Sequence, residues 1–269
     1  MAYVHGYEAR ESIRLQDQAS TLTDLLHADT TFQAGASVLE AGCGVGAQTA
    51  ILAAQSPGAR ITSIDISASS LEAARVLIDA RGISNVTFAQ ADIFDLPFAP
   101  NSFDHVFVCF VLEHLERPVE ALSALATVLK PAGTITLIEG DHGSTFFSPR
   151  SDYASRAVNA QVVLQERANG NALIGRELYP LLDEAGFSDV HVSPRMVYVD
   201  ASKPELVEGF TRNTFTAMIA GIRAPALAAE IISEADFERG IADLHRTADA
   251  DGVFCYTFFK ATATKTRAS

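Results

Sequence analysis

Two short stretches place a histidine beside carboxylates. Glu113-His114 follows an apolar run at 106–112, and Glu139-Gly140-Asp141-His142 follows a second at 134–138. A neutral imidazole can take a proton near neutral pH. A positioned acid or base of this kind contributes about 10²–10⁴-fold to a rate. His114, His142 and Asp141 are therefore the catalytic candidates. Each has a competing structural use. Glu113 and His114 can cap or brace the helix that follows, and Gly140 and Gly143 allow a sharp turn around His142. Glu139, Asp141 and His142 crowd one such turn with no distant partner, so no metal centre is expected.

A second cluster has the chemistry of ligand binding. Residues 38–49 read VLEAGCGVGAQT: a short apolar strand, the acid Glu40, then Gly42, Gly44 and Gly46. Glycine lets the chain turn with positive φ and lets a ligand approach the backbone. The loop amides are expected to point into open space where a helix begins. About twenty residues on, Asp65 ends a second strand, at a spacing that suits a carboxylate gripping ribose hydroxyls. Ile66 follows it. Asp92 and Ile93 lie beyond the third strand, where Asp92 can accept from an adenine amino group and Ile93 can pack on the ring. Gly42, Gly44 and Ala47 also satisfy G-x-G-x-x-G/A, which keeps a nicotinamide dinucleotide as a competing ligand. Glu40 argues against a pyrophosphate there and for a positively charged group.

These residues need a sheet with its loops at one edge. Strands are read at 37–39, 60–64, 85–89, 105–110, 134–138, 190–199 and 253–263. Helices alternate with them. Ser67 can cap one, Pro118 suits the first turn of another, and a third spans 176–185. Such alternation gives a doubly wound α/β fold. In open sheets of this kind ligands bind outside the carboxyl ends of the strands, where all the candidates fall.

The motifs VLEAGCGVGAQT (38–49), ITSIDIS (61–67), ADIFDLPF (91–98), FDHVFVCFVLEHL (103–115) and LKPAGTITLIEGD (129–141) resemble those of class I S-adenosylmethionine-dependent methyltransferases. Within that class the chain is similar to the small-molecule branch that includes the ubiquinone/menaquinone-type enzymes. The likeness is strong over 36–141 and loose elsewhere. It implies a Rossmann-like, mostly parallel sheet of seven strands with the last antiparallel. It implies S-adenosylmethionine as cofactor, S-adenosylhomocysteine as product, and methyl transfer to a small organic acceptor. Glu40, Gly42, Gly44, Gly46, Asp65, Ile66, Asp92 and Ile93 then form the cofactor site, with the Cys109 carbonyl toward the cofactor ammonium. A non-catalytic sensor or scaffold that binds the same cofactor is the alternative.

Composition narrows the partners. The chain has 269 residues, 48% of them hydrophobic, and a net charge of −13. That field repels nucleic acid and anionic membranes. No apolar run is long enough to span a bilayer, and the first residues show no apolar signal region. The three cysteines lack metal-ligand spacing. A reduced cytoplasm is the simplest compartment.

One methyltransferase domain over 1–269 is expected, with two helical insertions, 142–175 and 203–249. Long excursions are usually functional, so these are read as a substrate cap. Homodimer contacts or plain decoration are the competing readings. Residues 1–35 are read as a helical lid. There Tyr7, Arg14 and Gln18 share a polar stripe, and Arg14 would pair with the cofactor carboxylate. A merely solvated helix face is the competing reading.

Overall fold

A computed structural model describes residue 19 and residues 21–266. The first half alternates strand and helix: α1 (Thr23–His27), β1 (Ser37–Ala41), α2 (Ala47–Gln55), β2 (Arg60–Asp65), α3 (Ala68–Ala80), β3 (Val86–Gln90), β4 (Phe103–Cys109), a 3-10 turn (Leu112–His114), α4 (Pro118–Val128) and β5 (Leu129–Ser148). Then come α5 (Asp152–Arg167), a second 3-10 turn (Ile174–Glu177), α6 (Leu178–Glu184) and β6 (Phe187–Val199). A helical series follows: α7 (Pro204–Leu206), a π-helix (Val207–Thr216), α8 (Ala217–Gly221), α9 (Arg223–Ala228) and α10 (Glu234–Arg246). The last strand is β7 (Val253–Lys265).

The seven strands lie in the order β3-β2-β1-β4-β5-β7-β6. β1 pairs in parallel with β2 and β4, β2 with β3, and β4 with β5. β6 and β7 run antiparallel, since Ser188 meets Thr264 while Ser193 meets Lys260. The doubly wound, mostly parallel sheet expected from the sequence is therefore present. Val106, Phe107 and Val108 of β4 are fully buried, as a strand covered on both faces requires. Ser67 caps α3 by accepting the Ser70 amide at 3.2 Å. Pro118 opens α4, where its missing N–H costs nothing.

The chain forms two compact units. One comprises Leu26–Glu139, Ile174–Pro194 and, among the described residues, 259–266. Its core joins Leu39, Ile64, Val106, Leu122, Leu137 and Leu178. The described residues of the other fall within 19–25, Gly140–Leu173 and Arg195–Phe258. Its α5 and α10 pack closely, because Gly240 leaves room for the Tyr153 carbonyl and the Ala157 methyl. Phe210, Phe215, Phe254, Tyr256 and Phe258 form a buried aromatic cluster there, with ring centroids 4.7–6.4 Å apart. Each such ring contributes roughly 1.5–3 kcal/mol by burial.

Two expectations are corrected. β5 does not end at Ile138 but runs for 20 residues, so Gly140–Gly143 is extended strand rather than a sharp turn. Gly140 serves close approach instead, because the Tyr256 hydroxyl of β7 occupies the space a side chain would need. Strand partners continue beyond it, with Thr257 donating its amide to Ser144 Oγ at 2.9 Å. β5 also starts before the strand read at 134–138, and Lys130–Gly133 is a bulge within it. The pairing jumps from Phe103↔Leu129 to His105↔Thr134, and Ala132 takes φ +63°. Within the insertion read at 203–249, α9 and α10 are separate helices. Glu230 at φ +52° breaks the run, and Ser233 caps α10 by accepting the Asp236 amide.

Candidate active site

The glycine loop joins β1 to α2. Gly42, Gly44 and Gly46 all have positive φ, +77°, +52° and +82°. Each answers a different constraint. A Cβ at Gly42 would overlap the Val111 methyls, and one at Gly46 would press on Ala74 of α3 at 3.0 Å. At Gly44 no described residue lies within 4 Å, so among the described residues this face of the loop is open.

Four of the loop amides do not point into that open space. Gly42 and Cys43 both donate to the Ile64 carbonyl, at 2.8 and 2.9 Å, and Gly46 donates to the Cys43 carbonyl. Gly44 donates to Asp65 Oδ2 at 2.8 Å. The expectation of free amides fails because buried backbone donors are paired wherever a partner exists, and the end of β2 supplies two. Asp65 also accepts the Ser67 amide on Oδ1 at 2.8 Å. A carboxylate has about four acceptor positions, so both oxygens keep capacity for a further donor. Ile66 beside it is 61% exposed, an unusual setting for isoleucine.

Glu40 lies beneath the loop, buried, with Oε2 accepting from Thr49 and Ser63, both at 2.6 Å. Burial pushes its carboxyl up to about 7, against the pull of those two hydroxyls. Asp92 is exposed and accepts the Phe94 amide at 2.9 Å, closing an Asx turn. Ile93 is half-buried against the core. Cys109 ends β4, buried, and burial raises its thiol and that of Cys43 well above the usual range. Both are neutral thiols near pH 7.

His114 pairs with its neighbour, Nε2 to Glu113 Oε1 at 3.4 Å. Asp141 and His142 are both buried. Asp141 accepts the Gly143 amide on Oδ1 at 3.0 Å. His142 meets the Tyr256 hydroxyl through Nδ1 at 3.1 Å and donates its amide to the Ala172 carbonyl. Tyr7, Arg14 and Gln18 lie outside the described residues. Among the described residues the glycine loop and Asp65 are thus brought together, and Glu113 meets His114.

Residues 39–137 match the family model described as a methyltransferase domain. Over this span the chain is similar to methyltransferase domains. The chain is 35% identical over 198 residues to an uncharacterized 37.1 kDa protein in transposon TN4556 of Streptomyces fradiae, covering 73% of this chain and 56% of that one. It is 32% identical over 170 residues to the ubiquinone/menaquinone biosynthesis C-methyltransferase UbiE of Pseudomonas paraeruginosa, covering 62% of each. The chain therefore spans under two thirds of the length of these curated relatives. Among solved structures, phosphoethanolamine N-methyltransferase 2 of Haemonchus contortus shares the fold. Its TM-score is 0.61 at 17% identity, covering 99% of this chain and 61% of that one.

The compact unit that contains residues 39–137 holds two further groups that spacing alone did not single out. His27 is buried, with Nε2 on Gln48 Oε1 of α2 at 2.7 Å, and desolvation lowers its pKa to about 4. Lys260 is buried on β7, its Nζ donating to the Leu26 carbonyl, Asp29 and Thr30. Lys260 carried a signal: a charge inside the apolar run FCYTFFKATA requires a buried partner. His27 carried none, because its partner is fixed only when α1 meets α2. Phe110 adopts φ +58° just past β4, a strained backbone of the sort that clusters at functional sites.

Proposed function

We propose that the protein transfers the methyl group of S-adenosylmethionine to a small organic acceptor. The observation that carries this reading is the end of β2. There Asp65 braces Gly44, keeps acceptor capacity, and stands beside the exposed Ile66, with the Asx turn of Asp92 following the neighbouring β3. These residues suit a nucleoside: Asp65 for ribose hydroxyls, Ile66 and Ile93 for an apolar ring face, and Asp92 for an exocyclic amine. The open Cα face of Gly44 admits a ligand against the backbone. The named activity of UbiE and the cofactor product bound to the Haemonchus enzyme support the same ligand.

The bound cofactor supplies an already activated sulfonium methyl. The protein is left to bind, orient and exclude water. Alignment of two reactants contributes on the order of 7–11 kcal/mol. His114 and His142 are the candidate bases, with Asp141 beside the latter. The Cys109 carbonyl is assigned to the cofactor ammonium. Tyr7, Arg14 and Gln18 are assigned to its methionine end, within the lid proposed for 1–35. Residues 142–175 and 203–249 are assigned to acceptor recognition, and the acidic chain favours a neutral or cationic acceptor over a polyanion. No helix among the described residues is long and apolar enough to cross a membrane. A cytoplasmic location and a homodimer belong to the same proposal.

Calorimetry with S-adenosylmethionine and NAD, followed by transfer of labelled methyl to a metabolite extract, tests the reading. Binding with transfer supports it. Preference for NAD overturns it, and binding without transfer to any acceptor points to a sensor.

A further inference from the structure

Glu139 lies on β5, fully buried, opposite the end of β4. Its Oε1 accepts the amides of Val111 and Leu112 at 3.0 and 2.8 Å. Those amides open the 3-10 turn Leu112–His114, whose first residues have no side-chain cap of their own. A carboxylate from a neighbouring strand therefore does the capping. Among the described residues, its other oxygen, Oε2, is buried with no hydrogen-bond partner within ordinary geometry. Burial and the nearby Glu113 both push this acid up, so it is an expensive residue to keep in a core.

The turn it holds departs from a strained residue. Phe110 sits at φ +58° and is fastened by its amide to the Ile138 carbonyl at 2.9 Å. The next residue, Val111, fills the space beside Gly42, where a Cβ would overlap its methyls. Gly42 is in turn pinned to Ile64. An unbroken series of contacts thus runs from Glu139 through Val111 to the glycine loop.

We propose that Glu139 is a positioning residue for the cofactor loop: by capping the turn after β4 it seats Val111 against Gly42 and fixes the loop in its ligand-receiving shape. The inference rests on the reading of that loop as an S-adenosylmethionine site. An apolar residue would fill the same volume without burying an unpaired carboxyl oxygen. What it would lose is the grip on two amides.

The test uses S-adenosylhomocysteine as the probe in calorimetry and amide hydrogen exchange without ligand. Glu139→Gln keeps an oxygen for both amides and should bind within about 3-fold of wild type. Glu139→Ala should bind at least about 10-fold more weakly. It should also exchange the Gly42–Gly46 amides faster while β1 and β4 stay protected. Val111→Ala should recover part of the affinity lost in Gly42→Ala, because the overlap is relieved. This coupling survives as a test if Glu139→Ala does not fold. Wild-type loop protection and affinity in Glu139→Ala, or strictly additive effects of Gly42→Ala and Val111→Ala, would overturn the positioning role. Wild type with no affinity for the probe overturns the functional reading instead. The exchange experiment, which needs no ligand, then still decides the role of Glu139.

Discussion

Asp65 Oδ2 accepts the amide of Gly44 at 2.8 Å, a bond between residues 21 positions apart in sequence. The acid assigned to the ligand is therefore also the acid that shapes the loop.

Replacing it should expose both roles. Asp65→Ala should weaken S-adenosylmethionine binding by roughly 2–3 kcal/mol, since hydrogen bonds to charged groups contribute about 1.5–3. Asp65→Asn retains an oxygen for Gly44 and should lose less. Titration calorimetry on the two variants checks the order, and equal affinity for Asp65→Ala and wild type would remove Asp65 from the site.

Glu40 should make stability depend on pH. Its folded carboxyl titrates near 7, against an ordinary value of 4.5. Below about pH 4.5 both states hold the proton and nothing is lost. As pH rises toward 7, the unfolded chain ionises first, so the folded state loses stability, by on the order of 3 kcal/mol in full. Glu40→Gln cannot ionise. Urea melts of the two proteins at pH 5 and pH 8 should shift in favour of Gln at the higher pH, and a constant difference would count against a buried, uncharged Glu40.

His27 should shape the acid limb. Its pKa near 4 lies below the ordinary 6.5. Above pH 6.5 both states are neutral. As pH falls toward 4, the unfolded chain takes the proton first and folded stability declines. In His27→Leu this limb should flatten, while stability at pH 7 drops because Gln48 loses its donor. Identical acid limbs in thermal melts would contradict the assignment.

Either His114 or His142 should matter to turnover if a base is used. Replacing the working histidine by Gln should slow methyl transfer by about 10²-fold or more. Cofactor affinity should stay nearly constant, since neither ring is assigned to that pocket. Tyr256→Phe should reproduce part of the His142 effect, because its hydroxyl meets His142 Nδ1. Single-turnover rates with the identified acceptor decide this, and full rates in both histidine variants leave alignment as the whole mechanism.

Local signals served the sequence reading where one residue decides one feature. Ser67 at a helix start and Pro118 in a first turn need no distant partner to be understood. The loop amides were misjudged because their acceptors, the Ile64 carbonyl and Asp65, become neighbours only when β2 pairs with β1. Gly140 was read as a turn for the same reason: the Tyr256 hydroxyl that claims its empty side is more than a hundred residues away. The candidate bases stayed ambiguous because a buried His beside an acid looks alike in sequence whether it braces or reacts.

Lys260 gives the protein a chemical clock. The chain has four lysines, Lys130, Lys203, Lys260 and Lys265, and only Lys260 is fully buried, with its ammonium enclosed by Leu26, Asp29 and Thr30. Amine-directed reagents used to tether or label the protein will reach the other three first. Acylation of Lys260 then waits for the β7 region to open, so its rate, read by peptide mass, measures how often that happens.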